Sequence, residues 1–186
     1  MSIVDILKEA TPKYELVIPS TGESKTFRPF LVKEEKILLM AKESSDEGGV
    51  MRAVRDLIKS CVEDIGDIEN LPMFDIEYIY LQLRAKSIGE ILTPTLVCPE
   101  TKEKIKLEIN IDYIEIKRDK NHTSEVAITD DIILTMKYPS INILEKINKV
   151  KNDTDEKTVP LFHIVVNTID KIETKEETLS CDVLSI

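Results

Sequence analysis

The hydrophobic pattern of this 186-residue chain changes its period near Ile91. Before that point apolar residues recur at three- and four-residue spacing, as on one face of a helix; beyond it they alternate, as on one face of a strand. Ile3, Ile6 and Leu7 share a face and predict a short amphipathic helix within the first ten residues. Tyr14 to Ile18 and Lys25 to Phe30 are extended runs on either side of Pro19-Ser20-Thr21-Gly22-Glu23, a loop of turn formers, which predicts a β-hairpin. Lys33 to Ser44 predicts a helix with Glu34 and Glu35 in its first turn, where the helix dipole favours acids. Gly48 and Gly49 interrupt it. Val50 to Ile65 predicts a second helix whose core stripe is Val54, Leu57, Ile58, Cys61 and Ile65, closed by Gly66. Leu71 to Lys86 mixes periods: Phe74, Ile76, Tyr78 and Tyr80 alternate, whereas Ile79, Leu83 and Ser87 continue a helical face. Sixteen residues are long for a strand and Pro72 suits a first turn, so a third helix is predicted. Its apolar residues go most of the way round, which places it centrally or partly against a partner.

In the second half, Thr93 to Cys98 predicts a strand and Pro99 to Glu103 a turn. Lys104 to Ile111 alternates strictly, with Ile105, Leu107, Ile109 and Ile111 on one side, and predicts a half-buried antiparallel strand. A polar connector follows from Lys117 to Ser124. Glu125 to Ile128 and Asp131 to Tyr138 predict two more strands. Ser140 is placed to cap a helix bearing Ile141, Leu144, Ile147 and Val150. Lys151 to Lys157 reads as a charged loop, and Thr158-Val159-Pro160 opens a last helix to about Lys171, followed by irregular chain or a short strand. The expected architecture is α+β: a hairpin plus helices over residues 1–90, then a small antiparallel β-rich region with C-terminal helices over residues 91–186.

Composition narrows the function. Apolar residues at 42% and charged residues at 32% describe an ordinary globular chain. The formal net charge is −10, with lysines and glutamates interleaved and no basic patch, which argues against nucleic acid and anionic lipid as partners. No apolar run approaches the ~20 residues that cross a bilayer. Met1 to Lys8 lacks the pattern of a secretory signal. Cys61, Cys98 and Cys181 are odd in number and dispersed, as in a reducing compartment, so a cytoplasmic location is expected.

Catalytic constellations are missing. Cys98-Pro99-Glu100-Thr101 sits where a zinc knuckle carries a second cysteine, but a closed zinc site needs four ligands and three cysteines with two histidines are scattered along the chain. His163 lies in an apolar run with no nucleophile or carboxylate to work with. Asp130-Asp131 and Asp153-Thr154-Asp155-Glu156 lack the glycine and final glutamate of a calcium loop. No glycine-rich phosphate loop occurs. No enzyme, metal or cofactor is expected. What remains is surplus apolar surface on the second and third predicted helices. The face around Phe74, Tyr78 and Tyr80 is the first candidate for docking another protein, since aromatics enrich interface centres. Strand addition to the β-rich half is the second candidate, ranked lower because lysines on the alternating strand defend its edge.

From Thr26 to Glu90 the wording becomes specific. Phe27-Arg28-Pro29-Phe30 is followed by Lys33-Glu34-Glu35-Lys36-Ile37-Leu38-Leu39-Met40-Ala41, then a helix ending near Cys61, then Leu71-Pro72-Met73-Phe74-Asp75-Ile76-Glu77-Tyr78 and Leu83-Arg84-Ala85-Lys86-Ser87 with Gly89-Glu90. In this ordered series, and in the Cys98 hairpin and Ile109-Asn110-Ile111-Asp112, the chain resembles the baseplate hub subunit and assembly-catalyst family of T4-like contractile-tailed bacteriophages. The resemblance covers about the first two-thirds of the chain. It implies a non-enzymatic protein that binds tail hub proteins in the host cytoplasm and brings them to a competent arrangement, or else a permanent hub subunit of the virion. It transfers no catalytic residues. The expected contact residues are Phe27, Phe30, Phe74, Tyr78 and Tyr80.

Overall fold

The computed structural model describes residues 11–44, 48–117, 119–144 and 158–180. The helix expected in the first ten residues, the loop 151–157 and most of the helix after Ser140 lie outside them. The chain divides into two compact units, one of residues 1–68 and 74–116 and one of residues 69–73 and 117–186.

In the first unit, β1 (Tyr14–Val17) and β2 (Ser24–Phe27) form the predicted antiparallel hairpin, from Tyr14 opposite Phe27 to Val17 opposite Ser24. Leu16, Ile18 and Phe27 point inward and are buried, whereas Glu15 and Val17 face water. The loop closes through two 2.8 Å bonds, Ile18 N–H to the Glu23 carbonyl and Gly22 N–H to the Ile18 carbonyl. Gly22 sits at φ 75°, which a side chain would resist.

Helix α1 (Val32–Glu43) and helix α2 (Gly49–Cys61) follow. Of the predicted stripe, α2 buries Leu57, Ile58 and Cys61; Ala53 is buried beside them, whereas Val54 is only half-buried. This helix stops four residues before the predicted Ile65, because β2 captures the chain: Val62 turns extended and bridges Phe27, Arg28 N–H donates to the Cys61 carbonyl at 3.0 Å, and Glu63 N–H donates to the Thr26 carbonyl at 2.9 Å. Backbone pairing with an open strand edge overrides a continuing helical pattern. Helix α3 (Met73–Ser87) has the central character its all-round apolar pattern predicted, with Ile76, Ile79 and Leu83 fully buried.

The strictly alternating segment departs from expectation. Lys104 to Ile111 is not one strand: β5 (Lys104–Lys106) pairs with β4 (Thr95–Val97), and β6 (Ile109–Asn110) pairs with β3 (Ile91–Leu92). The segment exchanges partners at Leu107-Glu108. Ile111 begins a single 3-10 turn and is fully buried, whereas Ile105, Leu107 and Ile109 are exposed. Residues 104–109 are all exposed, so burial does not alternate along the segment as a half-buried strand requires.

In the second unit, β7 (Glu125–Thr129), β8 (Ile132–Met136), β9 (Ile169–Thr174) and β10 (Thr178–Ser180) form an antiparallel sheet in the order β10-β9-β8-β7. Residues 141–144 are helical, and the Leu144 N–H reaches the Ser140 carbonyl at 3.1 Å. Helix α4 (Thr158–Thr168) ends three residues before the predicted Lys171. The Thr168 hydroxyl bonds back to the carbonyls of Ile164 and Val165, both at 2.9 Å, and its own carbonyl accepts from Lys137 N–H at 2.7 Å. Such back-bonding weakens a helix end, and the β-branched residues beyond it pair with β8.

Candidate interaction surface

The first unit is joined at its centre by a buried ion pair. Arg28 leaves β2 pointing inward and is 7% exposed. Its guanidinium forks onto Glu34, with Nη2 to Oε1 at 2.6 Å and Nη1 to Oε2 at 3.1 Å. The remaining donors reach the Pro29 carbonyl at 3.0 Å, the Ser60 carbonyl at 3.0 Å and the Ser60 hydroxyl at 2.9 Å. Glu34 accepts in addition from the Leu31 N–H at 2.7 Å and the Ser60 hydroxyl at 2.8 Å. Strand β2, the first turn of α1 and the last turn of α2 therefore meet at one charge pair. Burial alone would raise the Glu34 carboxyl, but the Arg28 fork, the Leu31 amide and the Ser60 hydroxyl outweigh it and hold its pKa at about 2. The same Glu34 contact raises Arg28.

A second buried carboxylate fixes the hairpin loop to α3. Asp75, with no exposed surface, accepts from the Ser20 N–H at 2.9 Å and from the Ser20 hydroxyl. At the far end of α3 the Ser87 hydroxyl accepts the Phe30 N–H at 2.9 Å and donates to the Leu83 carbonyl at 2.5 Å. The Phe27-to-Phe30 segment and α3 are thus linked through Ser87.

Of the residues singled out from sequence, Phe27 and Phe30 are core, at 1% and 7% exposure, with the Phe27 ring 5.7 Å from that of Tyr14. Phe74, Tyr78 and Tyr80 lie along α3 and are half-buried, each keeping a face to solvent. The more open apolar surface lies elsewhere. Helix α1 buries none of its twelve residues, and Val32, Ile37, Leu39 and Met40 are between about half and four-fifths exposed. Against α2 it forms a half-open cleft of about 190 Å³, with Ile37, Ala53 and Leu57 among its lining and Lys33, Glu34 and Asp56 among its polar groups. Sequence reasoning passed over α1. The available signal was Ile37-Leu38-Leu39-Met40: four consecutive apolar residues turn through roughly 300° of a helix and cannot share one buried face.

Two further exposed apolar sets occur. On the β4–β5 hairpin Leu96 faces Ile105 across the ladder, both about half exposed. In the second unit Leu161, Phe162 and Val165 are exposed on α4, and Val126 and Ile128 on β7.

No group of three His, Cys, Asp or Glu side chains that could hold a metal occurs among the described residues. The Cys98 thiol is lowered by hydrogen bonds from Thr101 and Glu100 at the hairpin tip. His163 meets Phe162 edge-on, and His122 Nε2 lies 2.6 Å from the Tyr138 hydroxyl. No described helix is long and apolar enough to cross a membrane.

The sequence pattern of one protein family, described as T4 bacteriophage base plate protein, matches residues 11–185. No curated protein and no solved structure matches the chain.

Proposed function

We propose that this chain, which belongs to the T4 bacteriophage base plate protein family, binds hub proteins of the baseplate and promotes their assembly without catalysing a reaction. The observation that carries this reading is α1, a helix with apolar side chains on several sides and none of its residues buried. Apolar side chains left uncovered along a whole helix suit contact with another protein. Its framework is rigid, because Arg28 and Glu34 clamp the first turn of α1 to β2 and α2. The half-buried Phe74, Tyr78 and Tyr80 extend the contact along α3, with Phe27 and Phe30 holding the backbone beneath. The formal charge of −10 keeps a chain with such surfaces dispersed before it meets a partner. The resemblance of residues 26–90 to the hub subunit and assembly-catalyst family directs the choice of partner.

The test is co-purification of hub proteins with the wild-type chain and with Leu39→Asp and Tyr78→Ala. The reading expects Leu39→Asp to lose the hub protein while retaining wild-type thermal stability. Retention of the hub protein by both variants contradicts it.

A second reading, a permanent hub subunit, is favoured by one observation: exposed apolar side chains occur in both units, on α1, the β4–β5 hairpin, β7 and α4. Obligate interfaces are larger and more apolar than transient ones. Stoichiometric copies in finished particles distinguish it from an assembly factor.

A further inference from the structure

The ladders β4–β5 and β3–β6 of the first unit run in one register. Val97 lies opposite Lys104, Thr95 opposite Lys106, Leu92 opposite Ile109 and Ile91 opposite Asn110. Between the two ladders the Leu107 N–H donates to the Pro94 carbonyl at 3.0 Å, and at their base the Ile111 N–H donates to the Glu90 carbonyl at 2.8 Å. The result is a two-stranded arm whose tip is the Cys98 turn, closed by the Cys98 N–H on the Glu103 carbonyl at 2.9 Å. Side chains alternate between its two faces. One face carries Leu92, Pro94 and Leu96 from one strand and Ile105, Leu107 and Ile109 from the other, with no charged residue among them. It opens toward the tip: Ile109 is 38% exposed, Leu107 40%, Ile105 48% and Leu96 52%. The opposite face carries Lys104 and Lys106 beside Thr95 and Val97.

The direction of the free backbone groups follows from the same ladder. Hydrogen-bonded and non-hydrogen-bonded pairs alternate in antiparallel strands. Pro94 with Leu107 and Cys98 with Glu103 are hydrogen-bonded pairs, so Thr95 with Lys106 and Val97 with Lys104 are not. Lys104 and Lys106 therefore direct their N–H and C=O groups outward, and no third strand pairs with this edge among the described residues. Two strands alone are marginal in water, whereas three with an apolar face are stable. The edge also has a charge preference. Lys13, Lys25, Lys86, Lys137, Lys171 and Lys175 each meet a carboxylate, whereas Lys104 and Lys106 meet none among the described residues. The two lysines deter an apolar strand and favour an acidic one, because opposite charges facing each other across a ladder attract.

We infer that β5 receives an extended segment of a partner protein in which acidic and apolar residues alternate. Its acidic side chains stand opposite Lys104 and Lys106, its apolar ones opposite Ile105 and Leu107, and its main chain bonds to the outward groups of the two lysines. The added strand widens the apolar face, so that Ile105 and Leu107 no longer lie at its margin. The inference does not rest on the hub-binding proposal, because the arm shares no residue with α1 or α3.

The experiment titrates the full chain, followed by amide NMR, with two end-capped peptides, Thr-Val-Glu-Val-Glu-Val-Thr and Thr-Val-Lys-Val-Lys-Val-Thr. We expect the acidic peptide to shift the amides of residues 104–107 and to bind at least about tenfold more tightly than the basic one. The difference should shrink as salt is added. The double substitution Lys104→Glu with Lys106→Glu should reverse the preference, so that the basic peptide binds the more tightly. Both lysines are exposed, and the variant should melt with the wild type; the comparison of the two peptides on the wild-type chain does not require it. Equal binding of both peptides, binding of neither, or shifts confined to residues outside 91–110 overturns the inference. So does a preference that persists in a folded double variant.

Discussion

Replacing Glu34 by Gln tests the centre of the first unit. The substitution keeps the shape of the side chain but removes the charge that faces Arg28. Glu34 titrates at about 2 against an ordinary value of 4.5, and its side chain is 13% exposed, so solvent screening is slight. Each pKa unit corresponds to about 1.4 kcal/mol, which makes the charged form worth about 3 kcal/mol at neutral pH. Because the folded-state value is depressed, this stability is fully present above about pH 4.5 and is lost as pH falls toward 2. Deleting one member of a buried pair also leaves the other unmatched; such losses run to about 3–5 kcal/mol. Urea unfolding at pH 7 should therefore show Glu34→Gln less stable by about 3 kcal/mol. Between pH 4.5 and 2.5 the wild type should lose stability more steeply than the variant, so the two curves converge. A deficit below about 1 kcal/mol at pH 7, or parallel curves across the acid range, would refute the clamp as the organising contact of this unit.

Asp75→Ala removes the acceptor for both Ser20 donors in a fully buried setting and should cost about 2–4 kcal/mol in urea unfolding. Leu39→Asp on the open face of α1 should stay within about 0.5 kcal/mol of wild type by the same method, and a larger loss would mean that Leu39 is packed. At mildly alkaline pH, iodoacetamide should modify Cys98 before Cys61, because Thr101 and Glu100 lower the Cys98 thiol while Cys61 is buried in α2. Peptide mapping over a time course gives the order, and prior modification of Cys61 would contradict it.

The helical part was legible where a stripe of apolar residues met one buried face. The hairpin 14–27 and helix α2 are such cases, and α3 was recognised as central because its apolar residues surround it. The errors share a cause: period reports which residues share a face but not what covers that face or which strand competes for the backbone. Val62 leaves a helical pattern to join β2, and Ile169 leaves another to join β8. Ile105, Leu107 and Ile109 alternate as core residues do, yet they remain exposed. The polar clamps were out of reach for a different reason. Asp75 finds Ser20 across 55 positions and Arg28 finds Ser60 across 32, distances over which charge patterning carries no signal. Of the candidate contact residues, the aromatics of α3 were visible as an aromatic cluster. The openness of α1 required the neighbouring helix to be placed before the uncovered side was apparent.

As proposed, this baseplate-family chain acts on hub proteins during assembly. Quantitative mass spectrometry of purified virions and of infected-cell lysate tests it most directly. Abundance in lysate, in association with a hub protein, and absence from finished particles are expected. A stoichiometric copy number in virions would contradict it and establish the chain as a permanent part of the tail.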